Sequence, residues 1–303
     1  MRPIYILCPR IDNASSDHRI GVRANDFNAG GFHVYIGTVR LLFFAERLTI
    51  PLIREDNKKS ILEIGSSYGN SIRPILELGD VDVAIIDPCL DTDLLAEFGG
   101  RITLHRGLSL DILPQLEESY DCIFIDGDHN WYTVFNELRL IEERNLLKPG
   151  GVIFLHDIGW PYGRRDMYYQ PATIPAEYRN RPTRQGIQKG QSLLLPEGGL
   201  NAGHHNALEE FGARNGVLTA VEDYLKQSRL EYHFIKDLRE FGLGILLRKS
   251  RQNDLRRAST LRLRIFKQRK FDPQMQALSK TMQDLRTSAA ANFVRTLRNK
   301  FLR

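Results

Sequence analysis

Cysteine is scarce in this chain: Cys8, Cys89 and Cys122 are three among 303 residues, odd in number and scattered. So few thiols argue against a disulfide framework and point to a reduced, cytoplasmic protein. Cys89 and Cys122 fall in or beside apolar runs that read as buried strands, where each is expected to pack as a small hydrophobe. Long hydrophobic runs are also missing. No stretch approaches the roughly 18 apolar residues of a membrane span, and the opening MRPIYILCPR lacks the long apolar core and small-residue cleavage site of a secretion signal. Nor is there a strong overall charge, since the net value is +5. That value is uneven along the chain. Residues 251–303 hold 14 Lys/Arg against 3 Asp/Glu, leaving 28 basic and 34 acidic groups in the first 250. The body is therefore acidic, and no nucleic-acid-binding core is expected.

What the chain does have is a glycine turn after a buried apolar run. Residues 61–71 read ILEIGSSYGNS, placing Glu63 before Gly65, Gly69 four residues on, and Ser71 where a helix should open. Glycine lets such a turn tighten and a ligand approach, because no Cβ intervenes. The N–H groups of the following helix suit a carboxylate or phosphate. Asp87 ends a second apolar run, VAIID, about 22 residues after Gly65, where a carboxylate can accept from ribose hydroxyls. The dinucleotide fingerprint needs glycines at positions 67 and 70, and here stand Ser67 and Asn70. The turn thus points away from NAD and its pyrophosphate, towards S-adenosylmethionine.

Strand and helix patterns alternate with short connections from 61 to about 158, the signature of a doubly wound, mostly parallel α/β sheet. The expected strands are 61–65, 83–87, 102–106, 121–126 and 152–157. Helices are expected near 70–78, 92–98, 109–117 and 131–146, the last followed by a Lys148-Pro149-Gly150-Gly151 stop and turn. Residues 159–215, rich in Gly, Pro, Arg and Tyr, interrupt this rhythm as a functional lid. A helix at 216–227 and strands at 231–236 and 242–249 restore it. The expected organisation is an extended and helical segment at 1–57, with an extended stretch at 3–8 and a helix near 34–48. A domain over 58–250 carrying the insertion follows, and then a basic amphipathic helical tail at 251–303.

On these motifs the chain resembles the class I S-adenosylmethionine-dependent methyltransferases, in the small-molecule O-methyltransferase branch. LEIGSSYGNS is similar to the cofactor turn of catechol O-methyltransferase-like enzymes. ITLHRGLSLDILPQL is similar to their third strand and following helix. YDCIFIDGDHNWYTVFNEL with LLKPGGVIFLHD resembles the fourth strand, fourth helix and fifth strand of bacterial sugar and natural-product methyltransferases. The resemblance implies a seven-stranded Rossmann-like sheet. It places Glu63, Gly65, Ser66, Gly69 and Ser71 around the methionine end of the cofactor and Asp87 on its ribose. Gly107, Leu108 and Ser109 lie beside the adenine, with Leu110 where some relatives carry an amide.

Asp126, Asp128 and His129 end one expected strand, and His156 and Asp157 end its sheet neighbour. Ligands bind open α/β sheets at those ends. Methyl transfer to a hydroxyl needs the acceptor oxygen positioned and its proton removed. His129 is the expected general base, because imidazole titrates near neutrality; the alternative is that it caps the helix starting near Trp131. Asp126, His156 and Asp157 are candidate ligands for a divalent cation, with Mg²⁺ expected because two carboxylates with water and substrate oxygens suit that hard ion, although the imidazole suits transition metals better. Relatives that hold a metal usually offer oxygen where His156 stands, and metal-free catalysis through His129 is the competing expectation. Candidate acceptor contacts are Asp128, Trp131, Tyr162, Arg164 and Arg165. The expected partner is a hydroxylated small molecule such as a sugar, glycan or natural product. The tail leaves an acidic partner, a membrane surface or a homo-oligomer open. A catalytically inactive docking module and an NAD-dependent oxidoreductase are the other readings.

Overall fold

The apolar runs assemble into one sheet in the computed structural model, which describes residues 49–66, 69, 71–90, 93–239, 241–249 and 253–268. In chain order come α1 (Ile50–Glu55), β1 (Ser60–Ile64), α2 (Arg73–Leu76), β2 (Asp82–Ile86), α3 (Asp93–Phe98) and β3 (Ile102–His105). Then follow α4 (Ser109–Ile112), β4 (Tyr120–Ile125), α5 (Trp131–Glu143) and β5 (Leu147–His156). The insertion carries β6 (Met167–Tyr168), β7 (Pro182–Thr183) and β8 (His205–Ala207). The chain continues through α6 (Val217–Gln227), β9 (Tyr232–Asp237), β10 (Leu243–Arg248) and α7 (Asn253–Gln268). Cys8, the extended stretch at 3–8, the helix near 34–48 and the tail beyond 268 lie outside the described residues. The chain divides into two units, through Ala258 and from Ser259 on. Among the described residues, no helix is long and apolar enough to cross a membrane.

Seven strands form the main sheet in the order β3-β2-β1-β4-β5-β10-β9. The first five run parallel, and β10 is antiparallel to both β5 and β9. The order reverses between β1 and β4, which opens a crevice at their carboxyl ends. The central strands are apolar on both faces, as a sheet covered by helices on both sides requires. Ile61, Leu62, Ile123, Val152 and Ile153 are fully buried. On α5, Val134, Leu138 and Ile141 are spaced to share one face, and all three are buried in the main core cluster. Burying one such leucine contributes roughly 1.5–3 kcal/mol.

Four local departures from the sequence expectations have physical causes. The helix near 70–78 shortens to α2, with Pro74 in its first turn and Gly79 in a left-handed conformation soon after it. The helix at 109–117 splits into α4 and a 3-10 turn at Leu113–Gln115. The Lys148-Pro149-Gly150-Gly151 turn lies inside β5, where pairing jumps from Tyr120↔Leu147 to Cys122↔Val152. It is a bulge, with Gly150 at φ 72°. Cys122 is a free, buried thiol whose pKa burial pushes up to about 12. Cys89, by contrast, is disulfide-bonded, so the expectation of a packed, reduced thiol is corrected there.

The insertion is a small structure of its own, with a three-stranded antiparallel sheet in the order β6-β8-β7. Tyr162, Met167, Ile187, Leu194 and Leu200 form a separate core beneath it. It joins the main fold beside β4: Met167 N donates to His129 O at 3.0 Å.

Candidate active site

The crevice begins at the turn after β1. Gly65 has φ +81°, and a Cβ there would stand 2.3 Å from Gly127 Cα and 2.5 Å from Asp126 O. Glycine is therefore needed so that the turns after β1 and β4 can pack backbone to backbone. Gly69, at φ +72°, would meet the Leu94 side chain. Asp87 Oδ2 accepts from Ser66 N at 2.8 Å and its Oδ1 from Cys89 N at 2.6 Å. This carboxylate thus ties the β1 turn to the end of β2. Glu63 is fully buried: its Oε1 accepts from Ser71 Oγ, and its Oε2 has no partner. Burial raises its pKa to about 7, against the pull of the Ser66 and Ser71 side chains.

The β3–α4 turn faces α5. Ser109 Oγ donates to Glu137 Oε1 at 2.5 Å, and Glu137, fully buried, has its pKa raised to about 8 by desolvation. Gly107 and Leu108 lead into this contact, Leu108 preceding the first turn of α4 in extended conformation.

The ends of β4 and β5 bring four chemical groups together. One ligand-type atom from each of Asp126, His129, His156 and Asp157 lies within 4.8 Å of the other three. His129 Nε2 is 2.5 Å from Asp157 Oδ2 and 3.8 Å from Asp126 Oδ1. His156 Nδ1 is 3.1 Å from Asp126 Oδ1 and 3.1 Å from Asp157 Oδ2. The His156 ring stacks on Phe241, with centroids 6.0 Å apart and planes 8° apart. Asp157 itself has φ 57°, a left-handed backbone that is costly away from glycine. Burial pulls the His129 pKa down, but Asp157 and Asp126 outweigh it and leave it raised. His156 is likewise disfavoured by burial yet raised well above its ordinary value by Asp126 and Asp157. Burial would lift Asp157, but the two imidazoles hold it below the carboxylate range.

Helix capping belongs to Asn130, whose side chain accepts from Thr133 N at 2.9 Å, and not to His129. Asp128 is engaged in the same turn, its Oδ2 accepting from Asn130 Nδ2 and Thr133 Oγ1. Tyr162 is near His129, with ring centroids 5.5 Å apart, while its hydroxyl is held by Asn201 and Asn206.

Two expected acceptor contacts, Trp131 and Arg165, are buried against other groups, and a third, Arg164, is partly exposed but ion-paired. Trp131 is 5% exposed, stacks on Phe135 and donates Nε1–H to Asp223, so it packs the core. Arg165 is 1% exposed and donates to the carbonyls of Ala207, Leu208 and Ser192. Arg164 bridges to Thr219 and Glu222 on α6. Both arginines anchor the insertion.

The sequence reading missed the residue that joins these parts. Asp166 is fully buried and accepts from Trp131 N, Gly216 N, Tyr168 Oη and Asn180 Nδ2, each at 2.7 Å. One signal existed: an acidic residue directly after two arginines in a segment dense with aromatics. Tyr169 is the other gain, half exposed, with its ring 6.1 Å from His129 and 5.6 Å from His204.

With this geometry in view, residues 62–158 match the family described as a methyltransferase domain. That match spans less than half of the chain and runs from β1 to just past the end of β5. Catechol O-methyltransferase of Bos taurus is 28% identical over 122 residues, which are 36% of this chain and 45% of that protein. A protein of Mycobacterium sp. (strain JLS) named as an O-methyltransferase is 31% identical over 145 residues, 44% of this chain and 60% of the relative. The chain spans about half the length of these curated relatives. The crystal structure of the O-methyltransferase TomG from Streptomyces achromogenes, in complex with SAM, is 18% identical with a TM-score of 0.39. That likeness covers 71% of this chain and 80% of TomG.

Proposed function

We propose that this domain binds S-adenosylmethionine and transfers its methyl group to a hydroxyl of a small molecule, such as a sugar, glycan or natural product. The observation that carries this reading is the His129–Asp157 contact of 2.5 Å at the carboxyl ends of β4 and β5. It adjoins the turn whose Gly65 packs on Gly127. A docking module would have no use for an imidazole held between two carboxylates beside the turn proposed to hold the cofactor.

The cofactor supplies the electrophile, and the protein supplies position and proton removal. With Nε2 held by Asp157, His129 Nδ1 is the ring nitrogen without a protein partner and the atom to receive the acceptor's proton. As the acceptor oxygen forms its bond to the methyl carbon, the carbon–sulfur bond breaks and its electron pair stays on sulfur. The imidazolium that results is matched by Asp157 and Asp126. Glu63, Gly65, Ser66, Gly69, Ser71 and Asp87 serve the methionine and ribose ends, and Gly107, Leu108 and Ser109 the adenine. Residues 159–215 cover the acceptor side, while 251–303 form an appended basic segment.

Calorimetric titration with S-adenosylmethionine, followed by methyl transfer to a panel of catechols and sugars, tests the reading. His129→Ala is expected to leave cofactor affinity nearly intact and to lower turnover at least about a hundredfold. Unchanged turnover would remove His129 from the mechanism.

A further inference from the structure

The pair of carboxylates at this reaction centre shares its space with an imidazole, and that changes which ion the site can take. The magnesium expected from the two carboxylates is a hard cation that prefers oxygen ligands and retains several waters. Here His156 Nδ1 lies 3.1 Å from Asp126 Oδ1 and 3.1 Å from Asp157 Oδ2. An ion meeting both carboxylates would have that nitrogen within reach. The ring is not free to turn aside, because it is buried and stacked on Phe241. Asp157 adds a separate pointer: it is 4% exposed, and its Oδ1 has no partner.

The distances also separate ligand from neighbour. Metal–ligand bonds of about 2.0–2.2 Å set adjacent ligand atoms about 2.9–3.4 Å apart in octahedral or tetrahedral geometry. The two His156 contacts fall in that interval, which without an ion is also the length of an N–H···O hydrogen bond that a metal would replace. His129 Nε2 does not, at 2.5 Å from Asp157 Oδ2 and 3.8 Å from Asp126 Oδ1. The shorter contact is a hydrogen bond between a histidine and a ligating carboxylate, and it leaves His129 available as the base.

We infer that Asp126, His156 and Asp157 form a one-histidine, two-carboxylate site selective for a transition-metal divalent cation over magnesium. Mixed nitrogen and oxygen donors suit Mn²⁺, Fe²⁺, Co²⁺ or Zn²⁺, and imidazole raises affinity along that series. This inference rests on reading the same crevice as the reaction centre, but its test needs no turnover.

The full-length protein, stripped with a chelator, is dialysed against Co²⁺, Mn²⁺ or Mg²⁺, and bound metal is counted by mass spectrometry. About one Co²⁺ per chain at micromolar concentration is expected, with visible absorption of a nitrogen-ligated site, and little Mg²⁺ is retained at the same concentration. His156→Asp should lower Co²⁺ affinity at least about tenfold and narrow the preference over Mg²⁺. His129→Ala should leave the Co²⁺ count at one. Circular dichroism of each variant keeps a folding failure separate from a lost ligand, and His156→Gln serves where the aspartate variant does not fold. Equal retention of Co²⁺ and Mg²⁺ by the folded native protein, or retention of neither, overturns the inference. Calorimetry with S-adenosylmethionine on the same samples tells that result apart from failure of the methyltransferase reading, which loss of cofactor binding would signal.

Discussion

Gly65 and Gly127 pack against one another so closely that a single methyl group on Gly65 would stand 2.3 Å from the Gly127 Cα. The turn after β1, proposed to hold the cofactor, and the turn after β4, which leads to His129, are therefore one backbone-packed unit. Gly65→Ala faces two costs, a positive φ that alanine resists and a clash with main-chain atoms that cannot swing away. A loss of about 3 kcal/mol or more is expected in denaturant unfolding, together with loss of S-adenosylmethionine binding by calorimetry. Unchanged stability would show that the two turns can separate.

Glu63 gives the proposed cofactor site a pH dependence. Its carboxyl is raised to about 7 by burial, so the free protein carries it largely protonated at pH 6. In the proposed binding mode the ammonium of S-adenosylmethionine lies against it and favours the ionised form. Binding near pH 6 should release a proton, and affinity should rise with pH towards about 8 before levelling. Calorimetry in two buffers of different ionisation enthalpy measures that proton. Glu63→Gln should weaken binding about tenfold or more and flatten the profile.

Glu137 bears on stability rather than binding. The folded carboxyl holds its proton up to about 8, whereas in the unfolded chain it ionises near its ordinary value of 4.5. Between those values the folded state binds more protons, so stability falls as pH rises through that window. Glu137→Gln removes the ionisable group while leaving an oxygen for Ser109 Oγ. The variant is expected to melt a few degrees above the native protein at pH 8.5, with the difference shrinking by pH 5. Parallel melting curves that stay offset by a constant amount would contradict this origin.

The main sheet was legible because its strands are apolar on both faces. ILEI, VAII, CIFI and VIFL admit few other readings, and their observed ends lie close to the expected ones except for the bulged start of β5. The cluster of Asp126, His129, His156 and Asp157 was legible for a related reason, since residues ending adjacent parallel strands must share one crevice. The insertion was not. Its strands are two or three residues long, too short to carry a period, and they are held by side chains that look catalytic in sequence. Arg165 and Trp131 illustrate this: a guanidinium and an indole suggest a binding surface until burial shows what they touch. The role of Asp166 depends on partners between 35 residues before it and 50 after, which no local pattern contains.

Asp166 provides the last test, because it joins the insertion to the backbone around the proposed base. Its Oδ1 accepts from Trp131 N, two residues past His129, and from Gly216 N at the start of α6. The next residue, Met167, donates its N–H to His129 O. Consecutive residues of the insertion thus hold the main chain on both sides of the imidazole. Asp166→Ala leaves buried N–H donors without acceptors, at about 1–3 kcal/mol for each one orphaned, and is expected to lower the melting temperature clearly. Asp166→Asn keeps one oxygen but turns an amide donor towards other donors, so it should fold with a smaller loss. If the insertion sets the position of His129, the asparagine variant should lose kcat about tenfold or more while cofactor affinity, which depends on the β1 and β2 turns, stays near the native value. Equal losses in turnover and cofactor affinity would instead mark Asp166 as a general support of the fold.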